Sequence, residues 1–237
     1  MSEQYFVFTV HKAASTFLAN ACSAMADVLQ TELHSPNKNR NLPEVPGGLQ
    51  AEHVENRVGV FGPIRMPCKY NVLQGASAVV HLRDPRDVLT SLYYSQAYSH
   101  VGIKDDIREN LIDIGIDQFV LDQHHIFLNR YNRYLKMLIG RPRITLLYYE
   151  DFMETPEKWV AQFCLGLMWR SPVETRTMLQ RTINDLIHQN KAPEAEDKSK
   201  HIRQAKPGDH ERKLKPETID KLNDAFRDVL YQLGYVS

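Results

Sequence analysis

The sequence predicts an α/β protein with three layers, in which a central, mainly parallel sheet is flanked by helices. Short runs of β-branched and aromatic residues alternate along the chain with stretches of helical periodicity. Strands that alternate with helices pair in parallel, because two parallel neighbours need a long, right-handed crossover connection. No shift in composition and no internal repeat divides the 237 residues, so we expect a single domain over residues 1–237.

The expected elements follow one another in a regular order. The first strand, over residues 5–10, leads through a tight turn into a helix over 17–29. Four further strands are expected, over 31–34, 57–61, 78–82 and 143–148. The remaining segments are a loop over 37–48, a long amphipathic helix over 117–139, a polar mobile segment over 190–211 and a last helix over 216–233.

Charge and cysteine content exclude several classes of protein. The 29 lysines and arginines balance the 29 aspartates and glutamates, so no net charge would attract nucleic acid or an anionic membrane. No segment approaches the roughly 18 apolar residues of a membrane span. The three cysteines lie far apart without a C-x-x-C pair, which argues against disulfides and a zinc site. We therefore expect a cytoplasmic protein with only local anion sites.

The first candidate site is segment 10–17, which joins the first strand to the first helix and reads V-H-K-A-A-S-T-F. Small side chains let the backbone approach a ligand, and the N–H groups at a helix start favour an anion. Lys12 adds a positive charge, and Ser15 and Thr16 add hydroxyl donors. The segment predicts a phosphate-type cradle, although the ATP-type loop G-x-x-x-x-G-K-[ST] is absent.

The second candidate site is segment 79–94. Asp84 is a favourable N-cap and Pro85 suits the first helical position, so a strand should end at Arg83 and a helix begin at once. Arg83 then lies at the carboxyl end of a strand, where open parallel sheets bind ligands. Ser91 could add a hydroxyl to the same anion. The alternative is that Arg83 pairs with Asp87 and that Ser91 is an ordinary serine of the helix face.

Two further motifs follow along the chain. Residues 147–152 read L-Y-Y-E-D-F and end the last predicted strand. Residues 203–210 read R-Q-A-K-P-G-D-H and lie in the segment that we expect to be mobile. A basic, glycine-containing loop of this kind can close over a bound anion and exclude water.

Together the four motifs resemble those of the sulfotransferases that use 3′-phosphoadenosine-5′-phosphosulfate (PAPS). That family reads roughly P-K-S-G-T-T-W in its first loop, R-N-P-x-D-x-x-x-S-x-Y in its second motif, L-x-Y-E-D-(M/L) after a core strand and R-K-G-x-x-G-D-W in its late loop. The motifs occur here in the same order. The departures are Asp84 for asparagine and, in the late loop, Gln204, Ala205 and His210.

The resemblance implies a P-loop NTPase-like sulfotransferase fold and an enzyme that transfers a sulfuryl group from PAPS to an acceptor hydroxyl or amine. The nucleotide product would be adenosine 3′,5′-bisphosphate (PAP). The acceptor would be a small molecule or a glycan, bound by the loops 37–49 and 98–113. PAPS carries fewer charges at the reacting centre than ATP, so no metal ion is expected.

The resemblance also implies roles for single residues. Lys12 would stabilise the leaving 5′-phosphosulfate oxygens, and is the first of two expected catalytic residues. The 5′-phosphate would be bound by the backbone and hydroxyl groups of Ala13, Ala14, Ser15 and Thr16. The 3′-phosphate would be held by Arg83, Ser91, Arg203, Gln204 and Ala205. Adenine would lie near Phe17, which stands in for the family's tryptophan, and near Tyr149.

The second catalytic residue is the base that takes the acceptor's proton. Arg65 stands where many cytosolic members carry the histidine of K-T-H-L-P, so that base is missing. Members that modify polysaccharides use a glutamate after the first helix, where this chain has Glu32 and His34. We prefer His34, because imidazole accepts a proton near neutral pH. The alternatives are Glu32, Glu44 and His53.

Two other functions compete with the transferase. A P-loop-type nucleotide kinase or hydrolase would share the fold, but the lysine here precedes two alanines and not a hydroxyl residue. A PAPS-binding protein that has lost its base would keep the cofactor motifs, and Arg65 in place of the histidine is compatible with that alternative.

Overall fold

The computed structural model describes residues 3–36, 38, 40–189 and 206–236. Within these residues five strands form one sheet. They are β1 (Gln4–Thr9), β2 (Leu33–His34), β3 (Gly59–Ile64), β4 (Ser77–Leu82) and β5 (Ile144–Tyr148). Their order in the sheet is β2-β3-β1-β4-β5, and all neighbouring pairs are parallel. The predicted parallel α/β sheet with flanking helices is therefore confirmed.

Helices make up most of the other described residues. They are α1 (Ser15–Leu29), α2 (Ala51–Val54), α3 (Pro85–Tyr94), α4 (Asp105–Met137), α5 (Tyr149–Glu154), α6 (Pro156–Met168), α7 (Val173–Gln189), α8 (Asp209–Lys213) and α9 (Pro216–Gln232). A 3-10 turn covers Tyr70–Leu73 and a π-helical turn covers Ser95–Ser99. Gly115 interrupts α4 with a φ of 75°, so the predicted helix over 117–139 corresponds to the part after this break.

Strand β3 differs most from its predicted bounds of 57–61, because it continues through Gly62 and Pro63. The register between β1 and β3 shifts between Phe6 and Phe8, which places this pair at an irregularity where proline is tolerated. A Cβ atom on Gly62 would lie only 2.9 Å from the Val7 Cβ. The close approach of the two strands therefore requires glycine at this position.

The apolar residues of β1 alternate between the two faces of the sheet, as the twofold strand period dictates. Tyr5 and Val7 belong to a buried cluster with side chains of α1, α6 and α7. On the opposite face the ring of Phe6 stacks on Phe61, with 4.8 Å between their centroids. Both faces are thus buried, which is typical of parallel sheets.

The described residues fall into two compact units, one within Met1–Leu82 and Arg133–Asn190 and the other within Arg83–Asn132 and Lys191–Ser237. The first unit contains the sheet with α1, α5, α6 and α7, and the second contains α3, α8 and α9. The single domain expected over 1–237 stays a prediction. None of the described helices combines the length and apolar character that crossing a membrane requires.

Candidate functional site

Strands β1 and β4 end at the same edge of the sheet. Thr9 of β1 pairs in parallel with His81 of β4, so the carboxyl ends of the two strands lie side by side. Strand β1 is central, with β3 on one side and β4 on the other. Open α/β sheets bind ligands at such a point, where the connections leave in opposite directions. The loop over 10–14 follows β1, and Arg83 follows β4 directly.

The loop after β1 has a strained backbone. Lys12 has a φ of 64° and Ala14 a φ of 54°, both in the left-handed region, and Ala13 between them is fully buried. The left-handed conformation costs a residue with a Cβ roughly 1–2 kcal/mol. Ala14 stands where the related motif has glycine, the residue that adopts this conformation freely. Strain of this kind is concentrated where backbone N–H groups must converge on an anion.

Helix α1 begins without a capping side chain among the described residues, because its N-cap is Ala14. Its first turn also contains no acidic residue. The first N–H groups of a helix have no partner within the helix, and the helix dipole adds positive potential there. Lys12 lies half-buried just before it, so this helix start would favour an anion, and the predicted phosphate site over residues 12–17 stays a prediction.

The end of β1 is held by a tyrosine that the sequence motifs did not include. The hydroxyl of Tyr134, near the C-terminus of α4, donates a hydrogen bond of 2.6 Å to the backbone carbonyl of Thr9. Both residues are fully buried. This contact fixes the point at which the chain leaves the sheet and enters the loop over 10–14.

Phe17 and Tyr149, the two residues expected near adenine, both belong to one aromatic cluster within the first unit. Phe17 packs on Phe152 at 4.7 Å between ring centroids, and Phe152 also contacts Tyr149 at 6.4 Å and Trp159 at 5.0 Å. The motifs did not include Trp159, which comes from α6. Tyr149 and Trp159 are buried, whereas Phe17 and Phe152 are half-buried and keep some apolar surface on which a purine ring could stack. The adenine roles of Phe17 and Tyr149 stay predictions.

His81 is a polar neighbour of this aromatic cluster and contacts Trp159. Its Nδ1 accepts a hydrogen bond of 3.1 Å from the Trp159 indole, so its proton lies on Nε2, which bonds to no described residue. Complete burial lowers the pKa of His81 to about 3. The ring therefore stays neutral at physiological pH.

Arg83 belongs to the second unit and is only 5% exposed. Its Nη2 donates to Asp87 Oδ2 at 3.3 Å and to the backbone carbonyl of Lys206 at 3.4 Å. Its own carbonyl accepts a hydrogen bond from the Tyr131 hydroxyl. The helix start is as predicted, because the Asp84 carboxylate accepts a hydrogen bond of 2.9 Å from the N–H of Arg86.

The ion pair between Arg83 and Asp87, which the sequence left as an alternative, is therefore present. It does not compete with a role in anion binding, because a guanidinium has five N–H donors. Ser91 lies one turn after Asp87 on the same face of α3 and is half-buried. The second motif thus places an arginine, its carboxylate partner and a hydroxyl in one row.

Asp87 is fully buried and is surrounded by donors. Burial alone would raise the pKa of its carboxyl, but the hydrogen bond from His210 and the positive charge of Arg83 hold that pKa at about 2. The late loop therefore contributes to this part of the chain through His210. Arg203, Gln204 and Ala205 lie outside the described residues, as does most of the segment expected to be mobile, so their roles stay predictions.

His34, the preferred base, is buried in the structure and only 1% exposed. Its Nε2 lies 2.8 Å from the Val58 carbonyl, and its Nδ1 lies 2.6 Å from Arg57 Nη2. Both ring nitrogens thus have protein partners, and burial lowers the pKa of the ring. Glu32 lies beside it with a largely exposed side chain, 3.5 Å from Nε2.

The other two candidate bases differ in their surroundings. His53 Nδ1 accepts a hydrogen bond of 2.8 Å from the Gln50 N–H and so caps the short helix α2. Glu44 instead lies 3.3 Å from Arg65, the residue at the position of the missing histidine. Both Glu44 and Arg65 line a small cleft at the end of β3, together with Pro36, Pro43, Val45, Gly48, Leu49, Ile64 and Met66.

In the part of the chain that the structure describes, no group of three or more histidine, cysteine, aspartate or glutamate side chains could hold a metal ion. That the reaction needs no metal stays a prediction.

Several solved structures share this fold. The chain matches the crystal structure of mouse sulfotransferase SULT7A1 complexed with PAP with a TM-score of 0.55 and 13% identity, over 96% of this chain and 84% of that one. It matches retinol dehydratase in a complex with retinol and PAP with a TM-score of 0.58 and 16% identity, over 96% and 81%. It matches the same dehydratase in complex with androsterone and the inactive cofactor PAP with a TM-score of 0.57 and 16% identity, over 96% of this chain and 80% of that one. No curated protein sequence matches significantly.

A family model decides the assignment. The model described as "Sulfotransferase domain" matches residues 68–234, well over half of the chain. The matched region includes Arg83, Ser91, Tyr149 and the late motif, whereas the first motif at 10–17 precedes it. The sequence motifs, the parallel sheet and this match agree, and the chain belongs to the sulfotransferase family.

Proposed function

We propose that this sulfotransferase uses PAPS as its donor and releases PAP. The observation that carries the proposal is the loop after β1, where left-handed Lys12 and Ala14 precede a helix start without a capping side chain. The three neighbouring structures are all complexes with PAP, which supports the same nucleotide here. In this proposal Ala13 to Thr16 bind the 5′-phosphate, and Arg83 with Ser91 binds the 3′-phosphate.

The reaction is an in-line displacement at sulfur. The acceptor oxygen or nitrogen forms a bond to sulfur while the bond from sulfur to the 5′-phosphate oxygen breaks, and that oxygen leaves with a negative charge. Lys12 stabilises the charge, since a fixed cation acts most strongly where charge develops. The proton of the acceptor passes to a base.

We propose Glu44 as the first candidate for this base, ahead of His34. Glu44 lines the cleft at the end of β3 and contacts Arg65, which occupies the position of the histidine base in many cytosolic members. The two nitrogens of His34 are within hydrogen-bond distance of protein groups, so it would have to give up a contact to accept a proton.

The acceptor is proposed to be a small molecule with a hydroxyl group. The retinol and androsterone bound in two of the neighbouring structures are apolar molecules of this kind, and the cleft around Glu44 is lined mainly by apolar side chains. An amine or a glycan hydroxyl would be compatible with the same chemistry. The proposed location is the cytoplasm, in keeping with three buried free cysteines.

The proposed donor can be tested by nucleotide binding without metal. In EDTA, PAP should bind at least about tenfold more tightly than AMP, because a 3′-phosphate adds charge-assisted contacts. Calorimetric titration with PAP, AMP and ATP plus magnesium separates the alternatives. Equal affinities for PAP and AMP would contradict the proposal, and tight binding of ATP with magnesium alone would favour a kinase or hydrolase. PAP binding without transfer to any acceptor in a sulfate-transfer screen would favour a non-catalytic PAPS-binding protein.

The proposed base can be tested with Glu44→Gln. This variant should lower turnover by about 10²- to 10⁴-fold while PAP affinity stays nearly unchanged, because the base contacts only the acceptor. Glu52→Gln is the matched control, since this glutamate is largely exposed and is not among the candidate bases. Normal turnover in Glu44→Gln together with loss in His34→Asn would restore His34 as the base.

A further inference from the structure

We propose that Asp87 and His210 together form a positioning pair that holds Arg83 for the 3′-phosphate and so sets the selectivity for nucleotides that carry one. The inference rests on the proposed use of PAPS. It concerns the second unit alone, within which all the contacts lie.

The Asp87 carboxylate is the acceptor on which the contacts converge. Its Oδ1 accepts hydrogen bonds from the backbone N–H of His210 at 2.9 Å and from His210 Nδ1 at 2.7 Å. Its Oδ2 accepts from the N–H of Gly208 at 2.8 Å and from Arg83 Nη2 at 3.3 Å. Both oxygens are thus occupied, as a fully buried carboxylate requires.

These contacts fix the backbone at 206–210, and this backbone in turn contacts Arg83. The carbonyl of Lys206 accepts a second hydrogen bond from Arg83 Nη2, at 3.4 Å. Arg83 Nη2 is therefore held both by a charged group and by a backbone carbonyl that the same carboxylate helps to place. An arginine side chain has about 2 kcal/mol of rotamer entropy, so holding it before the ligand arrives favours binding.

His210 contributes a specific donor. The ring is 3% exposed, its Nδ1 faces Asp87, and its Nε2 has no hydrogen-bond partner among the described residues. The related motif has tryptophan at this position, and the only polar atom of a tryptophan side chain is an N–H donor. Histidine with its proton on Nδ1 and tryptophan therefore share the ability to donate one hydrogen bond from a buried ring.

The donor can be tested with two amide variants that place an N–H at different points of the former ring. In His210→Asn the amide N–H can take the place of Nδ1–H, whereas in His210→Gln it lies nearer to Nε2. Affinities for PAP and AMP are measured by calorimetry for the wild type and both variants. In His210→Asn, most of the preference for PAP over AMP should remain. In His210→Gln, the ratio of the AMP to the PAP dissociation constant should fall about tenfold, which is the effect of one hydrogen bond to a charged group.

Asp87→Asn tests the same arrangement from the acceptor side. In this variant the ratio of the AMP to the PAP dissociation constant should fall at least about tenfold, with a much smaller change in AMP affinity, since an amide cannot accept four hydrogen bonds. Thermal unfolding of each variant shows whether it folds. If Asp87→Asn does not fold, the two His210 variants still decide.

The outcomes separate this inference from the proposed function. A wild type that binds PAP and AMP equally would overturn both. A wild type that prefers PAP, with full preference kept in His210→Gln, would overturn the positioning pair alone. An equal loss of affinity for PAP and AMP would also overturn the pair, because a purely structural role predicts it. A greater loss of PAP preference in His210→Asn than in His210→Gln would overturn it as well, because it would mean that Nε2 contacts the ligand.

Discussion

Replacing Lys12 with alanine is expected to lower turnover by about 10²- to 10³-fold, the range found when one fixed group that stabilises transition-state charge is removed. The affinity for PAPS should fall much less. Charge on the leaving phosphate oxygen grows during transfer, so a contact made by Lys12 is stronger in the transition state than in the ground state. The strained loop supports this role, because the backbone of Lys12 is held at a φ of 64°.

The measurement compares turnover, with an acceptor found by screening, and the dissociation constant of PAP. Lys158→Ala is the matched control, because this lysine is exposed on α6 in the same unit. It should behave like the wild type in both assays. A Lys12→Ala enzyme that loses binding and turnover by the same factor would show that Lys12 binds the donor without acting on the reaction.

Replacing Arg83 with alanine should remove most of the preference for PAP over AMP. The expected loss is about 10- to 150-fold, which corresponds to the roughly 1.5–3 kcal/mol of a charge-assisted hydrogen bond. AMP affinity should change little, because AMP has no 3′-phosphate. Arg83→Lys should keep part of the preference, since it retains the charge but loses the planar fork of donors.

Calorimetry with both nucleotides measures this effect, and unfolding experiments monitor stability. Stability matters here because the substitution removes a charged partner of the buried Asp87 carboxylate. Arg227→Ala is a suitable control, since its ion pair with Asp224 is exposed on α9. An Arg83→Ala protein that still prefers PAP by the wild-type factor would contradict the assignment of the 3′-phosphate to this arginine.

The sequence predicted the parts of the fold that depend on local signals. Asp84 and Pro85 form a cap and a first helical position, and the structure places the helix start where this pair predicts, while the strand ends one residue before Arg83, at Leu82. The start of α1 was expected at residue 17 but lies at Ser15, because its cap is a left-handed alanine that carries no recognisable capping side chain. Strand β3 continues through a glycine and a proline because it carries one extra residue there, with three steps from Phe61 to Ile64 against two from Phe6 to Phe8 in β1.

Contacts between distant residues could not be predicted in this way. Asp87 and His210 are 123 positions apart, and no periodicity relates them. The indole of Trp159 reaches His81 from a helix that no motif marked. The sequence favours His34 as the base for its proton affinity, but strand β2 places this histidine in the interior, where a backbone carbonyl and an arginine contact its ring nitrogens. The chemical character of each residue can be read from the sequence, whereas the residues that surround it in the fold cannot.

The left-handed alanine at position 14 affects when the loop after β1 loses its conformational entropy. A glycine at position 14 would leave many backbone conformations accessible until the donor ordered them, whereas an alanine has fewer accessible backbone conformations from the start. Much of the ordering of this loop therefore takes place when the chain folds and not when the nucleotide arrives. A loop ordered in advance loses less freedom on binding, so more of its contact energy appears as affinity.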